Sequence, residues 1–254
     1  MSGVSNVVMT VRLRYSKLGK IRFTSHRDIA RVWERVLRRA EVPVALTLGF
    51  NPHSRLSFGL ALSTGHESLG EYLDIDLAER IGVDDLIARL DPVLPVGIHV
   101  QGAAEIAPGS PSLQQAVARC SWRIQIGGLS REELADRLAA LLTADTLVIT
   151  RERKGQPVTD DVRPAIVALS LEDLALGDDE PEATEHDGTV LLAELATQTR
   201  GLRPSELVGL FGPDAIEVRA CRLHQWISTD GALAEPLALE APATSLRALE
   251  GCAS

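Results

Sequence analysis

The feature that most constrains the fold is the order in which two hydrophobic periodicities follow each other along the chain. Residues 7–15 alternate apolar and polar side chains with a period of two, which is typical of a half-buried strand. Residues 26–40 then carry apolar side chains at helical spacing, and Ser25 precedes Asp28 by three residues, as at a helix start. Further strands are predicted at 44–48, 71–77 and 97–103, and a helix at 83–90. The order is strand–helix–strand–strand–helix–strand.

The second half of the chain repeats this order with one additional strand. The predicted strands are 121–126, 146–151, 163–170, 189–197 and 216–226, and the predicted helices are 132–142 and 204–211. Strands 146–151 and 163–170 are expected to pair as a hairpin across residues 154–157. The segment 107–112, rich in Pro, Gly and Ser, is a natural domain boundary.

These patterns predict an α+β protein made of two tandem ferredoxin-like (βαββαβ) sandwiches with antiparallel sheets. The first domain is predicted to span 1–106 and the second 113–229, followed by a flexible tail over 230–254.

Composition restricts the class of protein further. No apolar run approaches the roughly 18–20 residues of a membrane span, and the first residues do not form a secretory signal. The 3 cysteines are far apart and lack the spacing of a zinc or iron–sulfur site. We therefore expect a cytoplasmic protein that has no contact with a membrane and holds no metal or other cofactor.

Positive charge is concentrated near the start of an acidic chain. The net charge is −9, yet the segment 12–60 contains eleven Lys and Arg residues against three acidic ones. The predicted helix carries a basic side made of Arg27, Arg31, Arg35, Arg38 and Arg39. This asymmetry indicates either a surface for a polyanion or an acidic partner, or simply a solvated helix face.

The segment GFNPHSRLSFG, residues 49–59, combines turn formers with residues that could bind a ligand. The candidate binding residues are Phe50, Asn51, His53, Arg55 and Phe58. If the two rings are exposed they could stack on bases, and if they are buried they pin the loop. His53 could act as a base or a phosphate donor, or could be structural.

Three more groups of polar residues have both a functional and a structural interpretation. His26 and Arg27 could join an anion site at the helix start, or Asp28 could simply complete the cap. The acidic residues of one strand, Glu71, Asp74 and Asp76, could take a metal or pair with arginines, and we favour pairing.

In the second half, Asp161 and Arg163 could form a functional pair or could pin a hairpin. Dinucleotide-binding, P-loop, zinc-protease and nucleophile-elbow motifs are absent from the sequence. The sequence therefore favours a non-catalytic accessory subunit.

Four motifs together resemble a known family: HRD, GFNPHSRLSFG, ESLGEYLDIDL and TDDVRP. The chain is similar to the radical-SAM-linked (radical-SAM-associated) protein family, a bacterial domain of unknown function, over most of residues 8–225. The family's loop usually looks like GFxPHPxxSFG, and Ser54 stands here at its second proline. Its second motif looks like V-D-x-R-P, which Asp161, Arg163 and Pro164 match. Members occur fused to, or encoded beside, a radical SAM protein, so the resemblance implies such a partner.

From these observations we expect an accessory protein that works with a radical SAM enzyme and binds RNA or presents a substrate to it. One alternative is a protein-interaction module without RNA binding. Another is a stand-alone RNA-modifying enzyme of the pseudouridine-synthase type, with Asp161 as nucleophile.

Overall fold

The predicted alternation of strands and helices corresponds to two structural units. The computed structural model describes residues 7–153, 155–172, 188–197, 201–229 and 232–237. The first unit consists of Met1–Val117 together with Trp226–Ser254, and the second of Ala118–Gln225. The chain therefore leaves the first unit and returns to it at its end.

The first unit contains four strands and two main helices before residue 107, and one short helix after it. They are β1 (Met9–Lys17), α1 (His26–Arg39), β2 (Leu56–Phe58), β3 (Glu67–Leu77), α2 (Val83–Leu90), β4 (Ile98–Ile106) and α3 (Leu113–Ala116). β1 lies between β4 and β3, and β2 pairs with β3. The pairs β1–β3, β1–β4 and β2–β3 are all antiparallel.

One face of this sheet packs against α1 and α2. Alternate residues of β1 and β3 are buried there, among them Leu13 and Leu73. α1 contributes Trp33, whose ring meets the ring of Tyr15 edge-on at 4.9 Å. α1 starts as predicted, because the hydroxyl of Ser25 accepts a hydrogen bond from the backbone N–H of Asp28.

The predicted strand at 44–48 is wrong. Val44 and Leu46 form only isolated bridges, to Leu77 and to Ser54. The second strand of the unit is instead β2, which pairs with β3 and lies inside the segment 49–59 that was predicted to be a loop. The alternation that carries β2 is only three residues long, so the longer apolar run at 44–48 looked more like a strand than β2 did.

The second unit contains the remaining long elements. They are β5 (Val117–Gly127), α4 (Arg131–Thr143), β6 (Val148–Arg153), β7 (Gln156–Asp161), β8 (Ile166–Leu171), β9 (Thr189–Ala196), α5 (Pro204–Gly209) and β10 (Ile216–Thr229). Four of these strands follow one another in the sheet in the order β10-β5-β9-β8, and the pairs β5–β9 and β8–β9 are antiparallel. α4 buries Leu134, Leu138 and Leu141 at helical spacing and begins with the capping box of Ser130 and Glu133.

The predicted hairpin of the second half has the wrong second strand, although its turn includes Gly155 as expected. β6 pairs with β7 in a separate two-stranded sheet, whereas β8 pairs with β9. Gly155, at φ +77°, lies in the connection between β6 and β7. This places the turn between β6 and β7, so the second strand of the hairpin begins at Gln156, before the predicted 163–170.

Residues 232–237 of the predicted tail over 230–254 are part of the first unit. β11 (Ala232–Ala234) pairs with the end of β10. Arg14 donates from Nη1 to Glu235 Oε2 at 2.5 Å, and Leu237 is buried. The rest of the predicted tail lies outside the described residues.

The described elements form a mixed α+β protein with mostly antiparallel sheets, as the sequence predicts at this level. Among the described helices, none is both long and apolar enough to cross a membrane.

Candidate functional site

Residues 45–55 form a hydrogen-bonded arm that carries most of the GFNPHSRLSFG motif. Arg55 N donates to Ala45 O at 2.9 Å, and Thr47 N donates to His53 O at 2.8 Å. His53 N donates in return to Thr47 Oγ1 at 2.9 Å. Hydrogen bonds within the arm therefore hold its two sides together.

The tip of the arm exposes side chains that the sequence singled out. Gly49 has φ +134°, a conformation that favours glycine. Phe50 is fully exposed, with an accessible area that is 112% of the reference value for its residue type, and Leu48 is 74% exposed. Asn51 and His53 are exposed as well. Of the two interpretations of Phe50, the exposed one is therefore confirmed.

A cleft of about 290 Å³ opens between the arm and the sheet. It is lined by Thr47 and Ser54 of the arm, by Arg55, Leu56 and Ser57 at β2, and by Asp74 and Asp76 of β3. Ser57 lies opposite Asp74 in the β2–β3 register. Because side chains alternate across a strand, the polar residues of the cleft lie on the sheet face opposite α1.

Both carboxylates of the cleft are held by neighbouring side chains. Arg12 donates to Asp74 from Nε at 2.7 Å and from Nη2 at 2.9 Å. Asp76 accepts from Thr10 Oγ1 at 2.7 Å and from Arg55 Nε at 2.8 Å. The pairing with arginines that the sequence favoured is thus confirmed for both acids. Their negative charge is largely compensated within the protein.

The cleft retains hydrogen-bond donors that are available to a ligand. In the part of the chain that the structure describes, the Nη1 and Nη2 groups of Arg55 make no hydrogen bond. The hydroxyls of Ser54 and Ser57 make none within the same ranges. Ser54, Ser57 and Thr47 could not be proposed as site residues from the sequence, because their place in the cleft depends on the position of β2.

Four arginines form a stripe on the exposed side of α1, which we call the arginine stripe: Arg27, Arg31, Arg35 and Arg38. At 100° per residue they lie within an arc of about 80° and extend over about 16 Å of the helix. Arg31 pairs with Asp28 at 3.1 Å in an exposed contact. The side chains of Arg35 and Arg38 have no acidic partner among the described residues. The stripe is therefore a local surface of positive charge.

The start of α1 is already occupied by an acidic side chain. The hydroxyl of Ser25 donates to Asp28 Oδ2 at 2.6 Å. This hydrogen bond, together with the nearby charges of Arg31 and Arg27, lowers the pKa of the Asp28 carboxyl below its usual value. The capping interpretation is therefore confirmed, and Asp28 takes the place that an external anion would need.

His26 does not join the cleft. Its ring meets the ring of Phe58 edge-on at 5.4 Å, and Phe58 packs against the core on the α1 side. Ser57, the neighbour of Phe58 in β2, faces the cleft on the other side. Phe58 is therefore partly buried and packed, as the interpretation in which it pins the loop requires. Glu71 is 7% exposed and, by the same alternation, lies on the face opposite Asp74.

In the second unit, Asp161 and Arg163 make the contacts of a structural motif. Asp161 Oδ1 accepts from Leu147 N at 2.8 Å and from Arg163 N at 3.0 Å. These backbone hydrogen bonds lower the pKa of Asp161. Arg163 donates from Nε to Ala144 O at 3.2 Å and from Nη1 to Ile166 O at 3.1 Å. The two residues therefore fix the base of the β6–β7 hairpin. This is the structural interpretation of the pair that the sequence left open.

The positive segment 12–60 is less basic at the surface than its composition suggests. Arg12, Arg14 and Lys17 are buried, with exposed fractions of 3%, 5% and 2%. Arg12 and Arg14 pair with acids from later in the chain, as does Arg55. Much of the local charge is therefore neutralised inside the first unit, and the exposed part is mainly that of α1.

The fold and the site define a mixed α+β protein that carries an arginine stripe, an exposed arm and a polar cleft in its first unit. Residues 10–204 match the family described as "Uncharacterized protein conserved in bacteria (DUF2344)". The match spans more than half of the chain, so the chain belongs to this family. The expectation of a bacterial family of unknown function is thereby confirmed. No curated protein matches the sequence.

Among solved structures, the chain is similar to part of the one described as "Crystal Structure of a Cbf5-Nop10-Gar1 Complex". The TM-score is 0.46 and the sequence identity is 7%. The similarity covers 85% of this chain and 48% of that chain, so the chain spans about half its length. At this level the similarity supports neither a fold assignment nor a function.

Proposed function

We propose that the protein is an RNA-binding accessory protein whose first unit contacts RNA phosphates through the arginine stripe. The stripe is the observation that carries the proposal. Its arginines are exposed on one side of a single helix. Two of them, Arg35 and Arg38, have no acidic partner among the described residues. Clustered basic residues on one helix face are the usual electrostatic signature of nucleic-acid binding. Because the whole chain carries −9, such contacts would be local to this surface.

We also propose that both units are ferredoxin-like. The strand order β4-β1-β3, with β2 pairing with β3 on the side away from β1, supports this for the first unit. The order β10-β5-β9-β8 supports it for the second, with the β6–β7 hairpin as an insertion. Four-stranded sheets of this kind are used by RNA-recognition modules. A fold hosts many functions, however, so the stripe rather than the fold carries the functional proposal.

We further propose that the accessory role is performed with a radical SAM protein. The motifs HRD, GFNPHSRLSFG and TDDVRP support this partner through their resemblance to the radical-SAM-linked family. In this arrangement the protein would bind and present RNA, while the chemistry would belong to the partner. The structural contacts of Asp161 agree with a chain that is not itself the catalyst.

The RNA proposal is tested by equilibrium binding of a labelled, unstructured single-stranded RNA at several salt concentrations. We expect binding to weaken steeply with salt. The double variant Arg35→Glu/Arg38→Glu should weaken it at every concentration and lower the slope of log K against log salt by about 0.7 for each lost phosphate contact. Arg80→Glu is the control, because Arg80 is an exposed arginine of the same unit that already pairs with Glu105. Equal binding by all three proteins, with no salt dependence, would remove the proposal.

A protein-docking role of the stripe is separated from RNA binding by co-purification with the radical SAM protein. Docking on an acidic face of the partner predicts co-purification that survives nuclease treatment and is lost in Arg35→Glu/Arg38→Glu. If nuclease abolishes the association, RNA bridges the two proteins, as the RNA proposal expects.

A further inference from the structure

The arm and the cleft together have the features of a site for one unpaired nucleotide. We propose that, in single-stranded RNA, a base stacks on Phe50 while its sugar–phosphate enters the cleft and bonds to Arg55. The inference rests on the proposed RNA binding, and adds to it a second contact that requires an unpaired base.

Phe50 provides an open aromatic face. Phe50 is fully exposed at the tip of the arm, and hydrogen bonds within the arm hold its two sides together. Phe58 packs against the core, and one face of the exposed Phe23 ring is covered by the guanidinium of Arg22 at 4.8 Å. An exposed ring on a defined backbone suits base stacking, which every base can provide.

Arg55 provides a fixed anion donor at the base of the same arm, where it lines the cleft. Its side chain is 41% exposed, and its Nε is held by Asp76 at 2.8 Å. This ion pair orients the guanidinium and leaves Nη1 and Nη2 without a hydrogen bond among the described residues. Two N–H groups in a planar fork match two oxygens of a phosphodiester.

The rest of the cleft suits a sugar. The hydroxyls of Ser54 and Ser57 line it. The carboxylate of Asp76 receives two hydrogen bonds from the protein, so it retains lone pairs for a ribose hydroxyl. The volume of about 290 Å³ lies near the lower end of ligand pockets. It is therefore appropriate for part of a nucleotide rather than for a large free ligand.

This site predicts a preference for single strands. A base inside a duplex is stacked between its neighbours and cannot lie on an external ring without being flipped out. The arginine stripe contacts phosphates only, so it has no such requirement.

The test compares the full-length protein and its variants on single-stranded RNA and on a perfectly paired RNA duplex of the same length. Phe50→Ala should weaken single-strand binding by about tenfold and leave duplex binding unchanged. Phe50→Tyr should retain the single-strand affinity, whereas Phe50→Leu should lose it, because leucine is apolar but has no ring. Arg55→Gln should reduce single-strand binding, and Arg55→Lys should restore it only in part.

Phe23→Ala and Leu48→Ala are matched controls, since both remove an exposed apolar side chain of the first unit. Neither should change single-strand binding. If Phe50→Leu binds single strands as well as the unchanged protein does, the stacking site is refuted while the stripe proposal stands. If Leu48→Ala is as weak as Phe50→Ala, the tip acts as an apolar docking point and the nucleotide site is again refuted. If neither RNA binds the unchanged protein, both proposals fail together.

Discussion

At the scale of single residues, the polar face of the first unit depends on a buried ion pair. Arg12 and Asp74 share two hydrogen bonds on neighbouring strands, and both residues are largely buried. Burying two charges is costly, and removing one partner leaves the other uncompensated. The pair is therefore expected to affect the free energy of unfolding most when one of its partners is removed.

We expect Arg12→Met to lower the free energy of unfolding by about 3–5 kcal/mol, because Asp74 would remain charged and buried. Urea unfolding at neutral pH measures this. Arg80→Met is the matched control, since Arg80 and Glu105 form an exposed pair of 64% and 43% side-chain exposure. That variant should lose at most about 1 kcal/mol. Similar losses in the two variants would contradict the importance of burial.

Tyr72, which is close to this pair, is expected to make the free energy of unfolding depend on pH in the alkaline range. Its side chain is 1% exposed, and its hydroxyl has no hydrogen-bond partner among the described residues. Burial raises the pKa of Tyr72 above its ordinary value, while Arg14 opposes the shift and Glu235 adds to it. A raised pKa favours the neutral phenol in the folded protein. Its contribution to stability is therefore complete below the unfolded pKa of about 10 and is lost at higher pH.

We expect the free energy of unfolding to fall above pH 10 by up to about 1.4 kcal/mol per pH unit relative to Tyr72→Phe. Urea unfolding at a series of alkaline pH values measures the difference. The comparison isolates one group, because the two proteins differ only by a hydroxyl without a described partner. Parallel pH curves for the two proteins would show that Tyr72 ionises equally in both states.

At the scale of elements, the β6–β7 hairpin is tied to α4 by one arginine. Arg163 reaches the carbonyl groups of Leu142 and Ala144 at the end of α4, and that of Ile166 at the start of β8. The last carbonyls of a helix lack partners within the helix, so Arg163 satisfies groups that would otherwise need water.

We expect Arg163→Met to lower the free energy of unfolding by about 1–3 kcal/mol, through the loss of these hydrogen bonds. Arg163→Lys should recover only part of the loss, because an ammonium group cannot reach three carbonyls in different directions. Arg151→Met, which breaks an ion pair within the hairpin, is the control and should have a smaller effect. An unchanged unfolding midpoint in Arg163→Met would show that the contacts are dispensable.

Most elements of the fold could be predicted because their periodicity is long. α1 and α4 bury regularly spaced apolar residues and begin at Ser25 and Ser130, which are local signals. β2 could not be found, because its three residues are shorter than any reliable alternation and only pairing with β3 defines it. For the β6–β7 hairpin the sequence predicted the wrong second strand, because the apolar β8 resembles a strand more than the largely polar β7 does.

In the candidate site, too, some residues could be identified from the sequence and others could not. Phe50, Arg55 and the stripe could be proposed from residue type and spacing. Ser54 and Ser57 could not, because only the position of β2 brings them to the cleft. The sequence also could not show that Phe58 faces α1, since its direction follows from the β2 register.

At the scale of the whole molecule, the end of the chain completes the first unit. Residues from Trp226 onward belong to that unit, although more than a hundred residues of the second unit come between. Glu235 pairs with the buried Arg14. Leu237 forms a small core cluster with Tyr72, Ala104 and Leu113. The return of the chain therefore supplies both a counter-charge and an apolar contact.

Substitutions in this segment should change the free energy of unfolding differently if it is a loosely attached tail than if it is an integral part of the unit. Leu237 is 7% exposed, whereas Leu233 in β11 is 40% exposed. If the segment is integral, Leu237→Ala should lower the free energy of unfolding by about 2–4 kcal/mol through lost burial and a residual cavity. Leu233→Ala should change it by less than about 0.5 kcal/mol, because an exposed side chain loses little contact. Urea unfolding of the full chain distinguishes the two cases, and equally small losses in both variants would favour the loose tail that the sequence alone predicts.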